Sequence, residues 1–158
     1  MQARAVTPDI DPGSLLAGAG FIDAFRIVVT DSAIDAPTAA ERMMGRSPRW
    51  VTALLKLRNV IVRPLGLKGP VEQALPSTER IGIFPVISRS PERVVVGLDD
   101  RHLDFRAVID VTILGNSRQI TASTIVKTHN WLGRTYLATI MPFHRVIVRT
   151  MLEQVKAP

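Results

Sequence analysis

The sequence predicts an α+β chain in which a curved antiparallel sheet wraps around a long C-terminal helix, with two helices between the first and second strands. Three observations carry this reading. Residues 102–113 alternate strictly, with Leu103, Phe105, Ala107, Ile109, Val111 and Ile113 on one side and His102, Asp104, Arg106, Val108, Asp110 and Thr112 on the other, which is the period of a strand. Gly115-Asn116 separates that run from a second one at residues 119–129, as a hairpin turn does. From residue 130 to about 155 the period becomes helical. Leu132, Tyr136, Ile140, Phe143, Ile147 and Met151 share one side, while Arg134, Arg145, Arg149, Glu153 and Lys156 fall within an arc of about 100° on the other.

The remaining elements follow from local signals. Residues 1–20 hold Pro8, Pro12, Gly13, Gly18 and Gly20 and read as an irregular N-terminal arm docked through Leu15 and Leu16; residues 21–158 read as a single domain. Residues 21–29 are rich in strand formers. Asp35 caps a first helix, with Pro37 in its opening turn and Gly45 as its stop. Ser47-Pro48 starts a second helix, whose Trp50, Leu54, Leu57 and Ile61 lie at i, i+4, i+7 and i+11. Pro64 and Gly66 end it, and a loop follows to residue 79. Residues 81–89 read as a strand in which Pro85 marks an edge or a bulge. Residues 90–93 are a turn, and 94–98 are the next strand. Pro142 falls on the polar arc of the last helix, where a kink bends it around a core. A long helix with one apolar stripe must bury it, and the sheet is the partner available. This element order is that of helix-grip proteins.

Composition sets limits on function. The chain has 158 residues, a net charge of +6 and no cysteine. Its length suits one domain. Without cysteine there is no disulfide, thiol nucleophile, iron–sulfur centre or Cys-type zinc site. The positive charge is spread along the chain, with net values of −1, +3 and +4 over residues 1–53, 54–106 and 107–158. No Lys/Arg run and only 5% aromatics leave no evident nucleic-acid platform, so no specific nucleic-acid partner is expected. The apolar stretch at 15–20 is too short for an export core. The uncharged stretch at 135–143 is far below the ~20 residues that cross a bilayer. A soluble cytoplasmic protein is therefore expected.

Two segments carry a family resemblance: Gly97-Leu98-Asp99-Asp100-Arg101-His102-Leu103-Asp104-Phe105-Arg106, and His129-Asn130-Trp131-Leu132-Gly133-Arg134-Thr135-Tyr136 continuing to Met141-Pro142-Phe143-His144. With Asp23-Ala24-Phe25 near the start, they resemble the bacterial "domain of unknown function 2867" family over about residues 21–155. That family is similar to the helix-grip superfamily of START-like proteins, polyketide cyclases and the birch-pollen allergen. The resemblance implies an apolar ligand cavity between sheet and helix, but no particular chemistry. Related domains occur fused behind short-chain-dehydrogenase-like domains, which implies docking on such a partner. This chain itself has no Gly-rich dinucleotide fingerprint, and no cofactor is expected.

Three histidines and a few carboxylates carry whatever chemistry there is. His144 lies by helical phase on the apolar side of the last helix; it is either an acid/base or ligand-orienting group, or a neutral core histidine with a structural partner. Tyr136 lies on the same broad face, to orient a ligand or to fill the core with its hydroxyl at the rim. Asp99, Asp100, Arg101, His102, Asp104 and Arg106 form the densest polar cluster, and are either a site or a solvated sheet face laced with ion pairs. If the Leu103/Phe105/Ile109 face is the concave one, the cluster lies outside. No His-x-x-x-His or Glu-x-x-His spacing supports a metal, and Ser88, Ser90 and Ser123 lack a nucleophile-elbow context.

The leading expectation is a domain binding a small apolar or amphipathic ligand between the sheet and the last helix. Trp50, Leu54, Phe84, Phe105 and Ile109 line the space from one side, and Tyr136, Ile140, His144 and Ile147 from the other. One alternative is a cyclase-, hydratase- or isomerase-type enzyme using His144, with Tyr136 beside it. The other is a non-catalytic interaction module that forms a homodimer or docks on a dehydrogenase-like partner.

Overall fold

The computed structural model describes residues 2–46, 49, 53, 56, 60, 63–65, 79–82, 84–99 and 102–156. Among the described residues, seven strands make one antiparallel sheet: β1 (Arg4–Val6), β2 (Phe21–Val29), β3 (Arg80–Ile81), β4 (Phe84–Arg89), β5 (Arg93–Asp99), β6 (Leu103–Leu114) and β7 (Ser117–Thr128). Their spatial order is β1-β2-β7-β6-β5-β4-β3. Among the described residues, the helices seen from end to end are α1 (Pro12–Leu15), α2 (Ala36–Met44) and α3 (Trp131–Glu153), with 3-10 turns at Arg63–Leu65 and, continuing α3, at Gln154–Lys156. The first long strand pairs with the last, and α3 packs across the sheet. This is the helix-grip arrangement.

Side chains of the sheet divide by strand parity. On the inner face, Phe25, Ile27, Val94, Val96, Ile109 and Ile120 form the main core with Met151 and Leu152 of α3. α2 closes the same core. Its Asp35 cap accepts from the Thr38 backbone N–H at 2.9 Å, and its fully buried Ala36, Ala39 and Ala40 have no bulk to hold the helix off the sheet.

Residues 2–20 depart from the irregular arm expected. β1 adds an edge strand to β2, with Arg4 opposite Arg26, and Asp11 caps the single turn α1. Beyond that turn Leu16 covers the outer face of the sheet, packing with Val95, Val108 and Ile125 in a second, smaller core. The predicted strand 81–89 is interrupted at Gly82, whose φ is +62°. A Cβ there would stand 2.5 Å from the Met44 carbonyl oxygen, so the α2 end and this turn fit together only around glycine. Pro85 lies in β4 opposite Arg80, and the ladder to β5 is irregular between Val86 and Ser88.

Of the second predicted helix, Arg49, Ala53, Lys56 and Val60 are helical and exposed. Trp50, Leu54, Leu57, Ile61 and the loop 66–78 lie outside the described residues. In α3, Pro142 is exposed as expected, but Phe143 is not on the buried side: it is 55% exposed. The buried arc is centred near His144 in phase. Phe143 precedes it by about 100° and so leaves the contact. Glu153 also differs from expectation, turning in to accept the Ala3 backbone N–H at 3.0 Å. Among the described residues, no helix is long and apolar enough to cross a membrane.

Candidate functional site

Between the inner sheet face and α3 lies a cavity of about 220 Å³, partly open to solvent. The alternation of β6 points Leu103, Phe105, Ala107 and Ile109 into it, and α3 contributes Tyr136, Ile140, His144 and Ile147. Phe84 of β4 meets Phe105 edge to face, with ring centroids 5.7 Å apart, an arrangement in which each ring restrains the other. Of the residues expected to line such a space, Phe84, Phe105, Ile109, Tyr136, Ile140, His144 and Ile147 border it. Trp50 and Leu54 lie outside the described residues.

Sequence reasoning missed Met43, Met44, Ala122, Thr124, Leu137 and Met141, which also border the cavity. Nothing local marks the two methionines. They reach the space because α2 folds over the sheet, and their unbranched side chains fill irregular gaps.

His144 is the one imidazole on the cavity wall. Its Nε2 lies 3.4 Å from Oδ1 and 3.3 Å from Oδ2 of Asp23, and the two side chains are only 18% and 19% exposed. A carboxylate only accepts, so Nε2 carries the proton and donates to Oδ1. Oδ2 is buried and has no hydrogen bond of its own. Asp23 does not border the cavity. It stands behind His144 on the inner face of β2, directly opposite Thr124 of β7. The sequence did hold a signal for it. Phe21, Asp23, Phe25, Ile27 and Val29 share one strand face, and a single carboxylate among apolar residues calls for a buried partner.

The polar cluster lies elsewhere. Leu103, Phe105 and Ile109 take the concave face, so Asp104 and Arg106 point to the convex side. Within it Arg106 Nη1 binds Asp99 Oδ1 at 2.7 Å, and Asp104 Oδ1 meets His129 Nε2 at 3.0 Å. His102 is buried and joins the start of α3 through Asn130, Nδ1 to Nδ2, at 2.9 Å. Asp100 and Arg101 lie outside the described residues. Among the described residues no three His, Asp or Glu side chains are grouped to hold a metal ion.

A sheet gripping one long helix over an apolar cavity defines the chain as a helix-grip α+β protein. It belongs to the family described as "Protein of unknown function (DUF2867)", whose profile matches residues 15–151. No curated protein matches the chain. Among solved structures it is similar to a START superfamily protein from Mycobacterium smegmatis, with 11% identity, TM-score 0.42, and 86% of this chain and 99% of that one covered. A conserved protein from Geobacillus kaustophilus matches at 12% identity and TM-score 0.42, covering 86% and 93%. CalU16 from Micromonospora echinospora matches at 10% identity and TM-score 0.37, covering 99% and 92%.

Proposed function

We propose that the chain binds one small apolar or amphipathic molecule in the cavity between the sheet and α3. The observation that supports this most is the cavity itself: about 220 Å³, lined almost entirely by aliphatic, aromatic and methionine residues, broken by His144, Tyr136, Ser123 and Thr124. Such a lining draws its affinity from apolar area removed from water, roughly 25 cal/mol per Å². A few polar groups then fix orientation. The volume is below the ~300–1,000 Å³ of sites for drug-sized ligands, so the ligand is compact. The test is native mass spectrometry of the purified protein for a retained molecule, with a fluorescence titration of 1-naphthol as probe. Saturable 1:1 binding that is lost when Ala107→Phe fills the cavity supports the reading. No retained molecule and no saturable naphthol binding, or equal binding by Ala107→Phe, overturns it.

The His144–Asp23 pair favours a second reading, proton-transfer catalysis of the cyclase, hydratase or isomerase type. An imidazole whose Nε2 is held by a carboxylate has a defined tautomer with Nδ1 as its basic nitrogen, which suits a general acid/base in an apolar cavity. A His144→Ala variant retaining full turnover of an identified substrate would remove this reading.

A further inference from the structure

The face of α3 turned away from the sheet does not have the makeup of a solvated helix surface. Trp131 is 69% exposed, and Phe143 and Val146 are each 55% exposed; Ala138 and Pro142 are exposed between them. At 100° per residue these five fall within an arc of about 140°. Three threonines share that arc, and each turns its hydroxyl back onto the helix. Thr135 Oγ1 donates to the Trp131 carbonyl at 2.9 Å, Thr139 to the Thr135 carbonyl at 2.9 Å, and Thr150 to the Val146 carbonyl at 2.8 Å. With the hydroxyl bonded internally, the polar surface offered outward is reduced.

The exposed charges on and beside this face have one sign. Arg134, Arg145 and Arg149 are exposed along it, and no Asp or Glu occurs from residue 131 to 152. Glu153, next in line, is bound to the Ala3 N–H. Solvated helices commonly intersperse Glu with Lys or Arg at i,i+4; α3 has that spacing once, Arg149 with Glu153, and there the carboxylate is turned to the Ala3 N–H. A second copy fits poorly as occupant, because a two-fold contact of this face with itself brings six arginines together. An anionic bilayer is complementary. Aromatic and aliphatic side chains enter the headgroup boundary while guanidinium groups meet phosphates.

We propose that the outward face of α3 is a peripheral docking surface for anionic phospholipid bilayers, with the helix lying in the plane of the interface. The full chain is co-sedimented with vesicles of phosphatidylcholine and phosphatidylglycerol (3:1) and with pure phosphatidylcholine. Binding to the anionic vesicles alone is expected, weakening from 0.1 to 0.5 M salt. Arg134→Gln, Arg145→Gln and Arg149→Gln together should lower affinity roughly 100-fold, about fivefold per arginine. A charge-matched control, Arg4→Gln with Arg49→Gln and Lys56→Gln, alters exposed positions on other elements and should cost far less. Brominated acyl chains should quench fluorescence in the wild type and much less in Trp131→Phe. The proposal is overturned by no vesicle binding, or by equal losses in both triple variants, which would mean attraction by net charge alone. A dimer that Trp131→Ala dissociates would also overturn it, showing that a second copy covers the face.

Discussion

Asn130 holds His102 in one tautomer. The Asn130 Oδ1 accepts the Gly133 backbone N–H at 3.0 Å, so its amino group is the end that faces His102 Nδ1 at 2.9 Å. An amino group only donates, and Nδ1 must therefore be the unprotonated nitrogen, with the proton on Nε2. One side chain thus caps α3 and ties it to the β5–β6 connection. Replacing Asn130 by Ala should cost about 1–2 kcal/mol in urea unfolding. Asn130→Ser should recover the cap portion and leave the histidine unbonded at Nδ1. Nitrogen NMR of the wild type should show the neutral ring of His102 as the Nε2–H tautomer; the Nδ1–H tautomer would refute the geometry.

His144 and Asp23 should behave as one energetic unit. Removing either leaves a buried polar group without its partner, and each single change to Ala should cost about 1–3 kcal/mol. The double variant should then lose less than the sum, with a coupling above roughly 0.5 kcal/mol. Denaturant unfolding of the four proteins in the cycle measures this. Strict additivity would mean that the contact across 3.3 Å contributes nothing.

Asp35 predicts an acid-side loss of stability. Hydrogen bonding by Thr38, from its side chain first and its backbone N–H second, holds the Asp35 carboxyl below its ordinary value of 3.8. The unfolded chain therefore binds the proton more readily, and stability rises with pH through this window. The contribution is complete above the unfolded value near 4 and is lost as pH falls through the lower folded value. Asp35→Ala should cost about 1 kcal/mol at pH 7, with the difference from wild type shrinking below pH 4. Asp35→Asn should keep the cap and remove this part of the slope, as thermal unfolding at pH 3 and pH 7 would show.

Much of the site was readable from residue type and period. The alternation of residues 102–113 placed Leu103, Phe105 and Ile109 on one face, and the cavity borders that face. The helical period placed Tyr136, Ile140, His144 and Ile147 together, and they meet across it. The same signal misplaced Phe143. α3 carries apolar residues on two faces, and hydropathy does not say which of them meets the sheet.

Local chemistry was enough for the elements with their own signals: the Asp35 and Asn130 caps, the Gly115 hairpin with φ +58°, the strands of period two and the long final helix. Each rests on interactions within a few residues of chain, which a sequence states directly. Long-range pairing decided the rest. Asp23 meets His144 across 121 positions, and Met44 meets Gly82 because α2 ends where β3 turns. Gly133 is required because a Cβ there would stand 2.0 Å from the His102 carbonyl oxygen. These relations depend on how closely α3 and α2 approach the sheet, and that distance is a balance struck over the whole core.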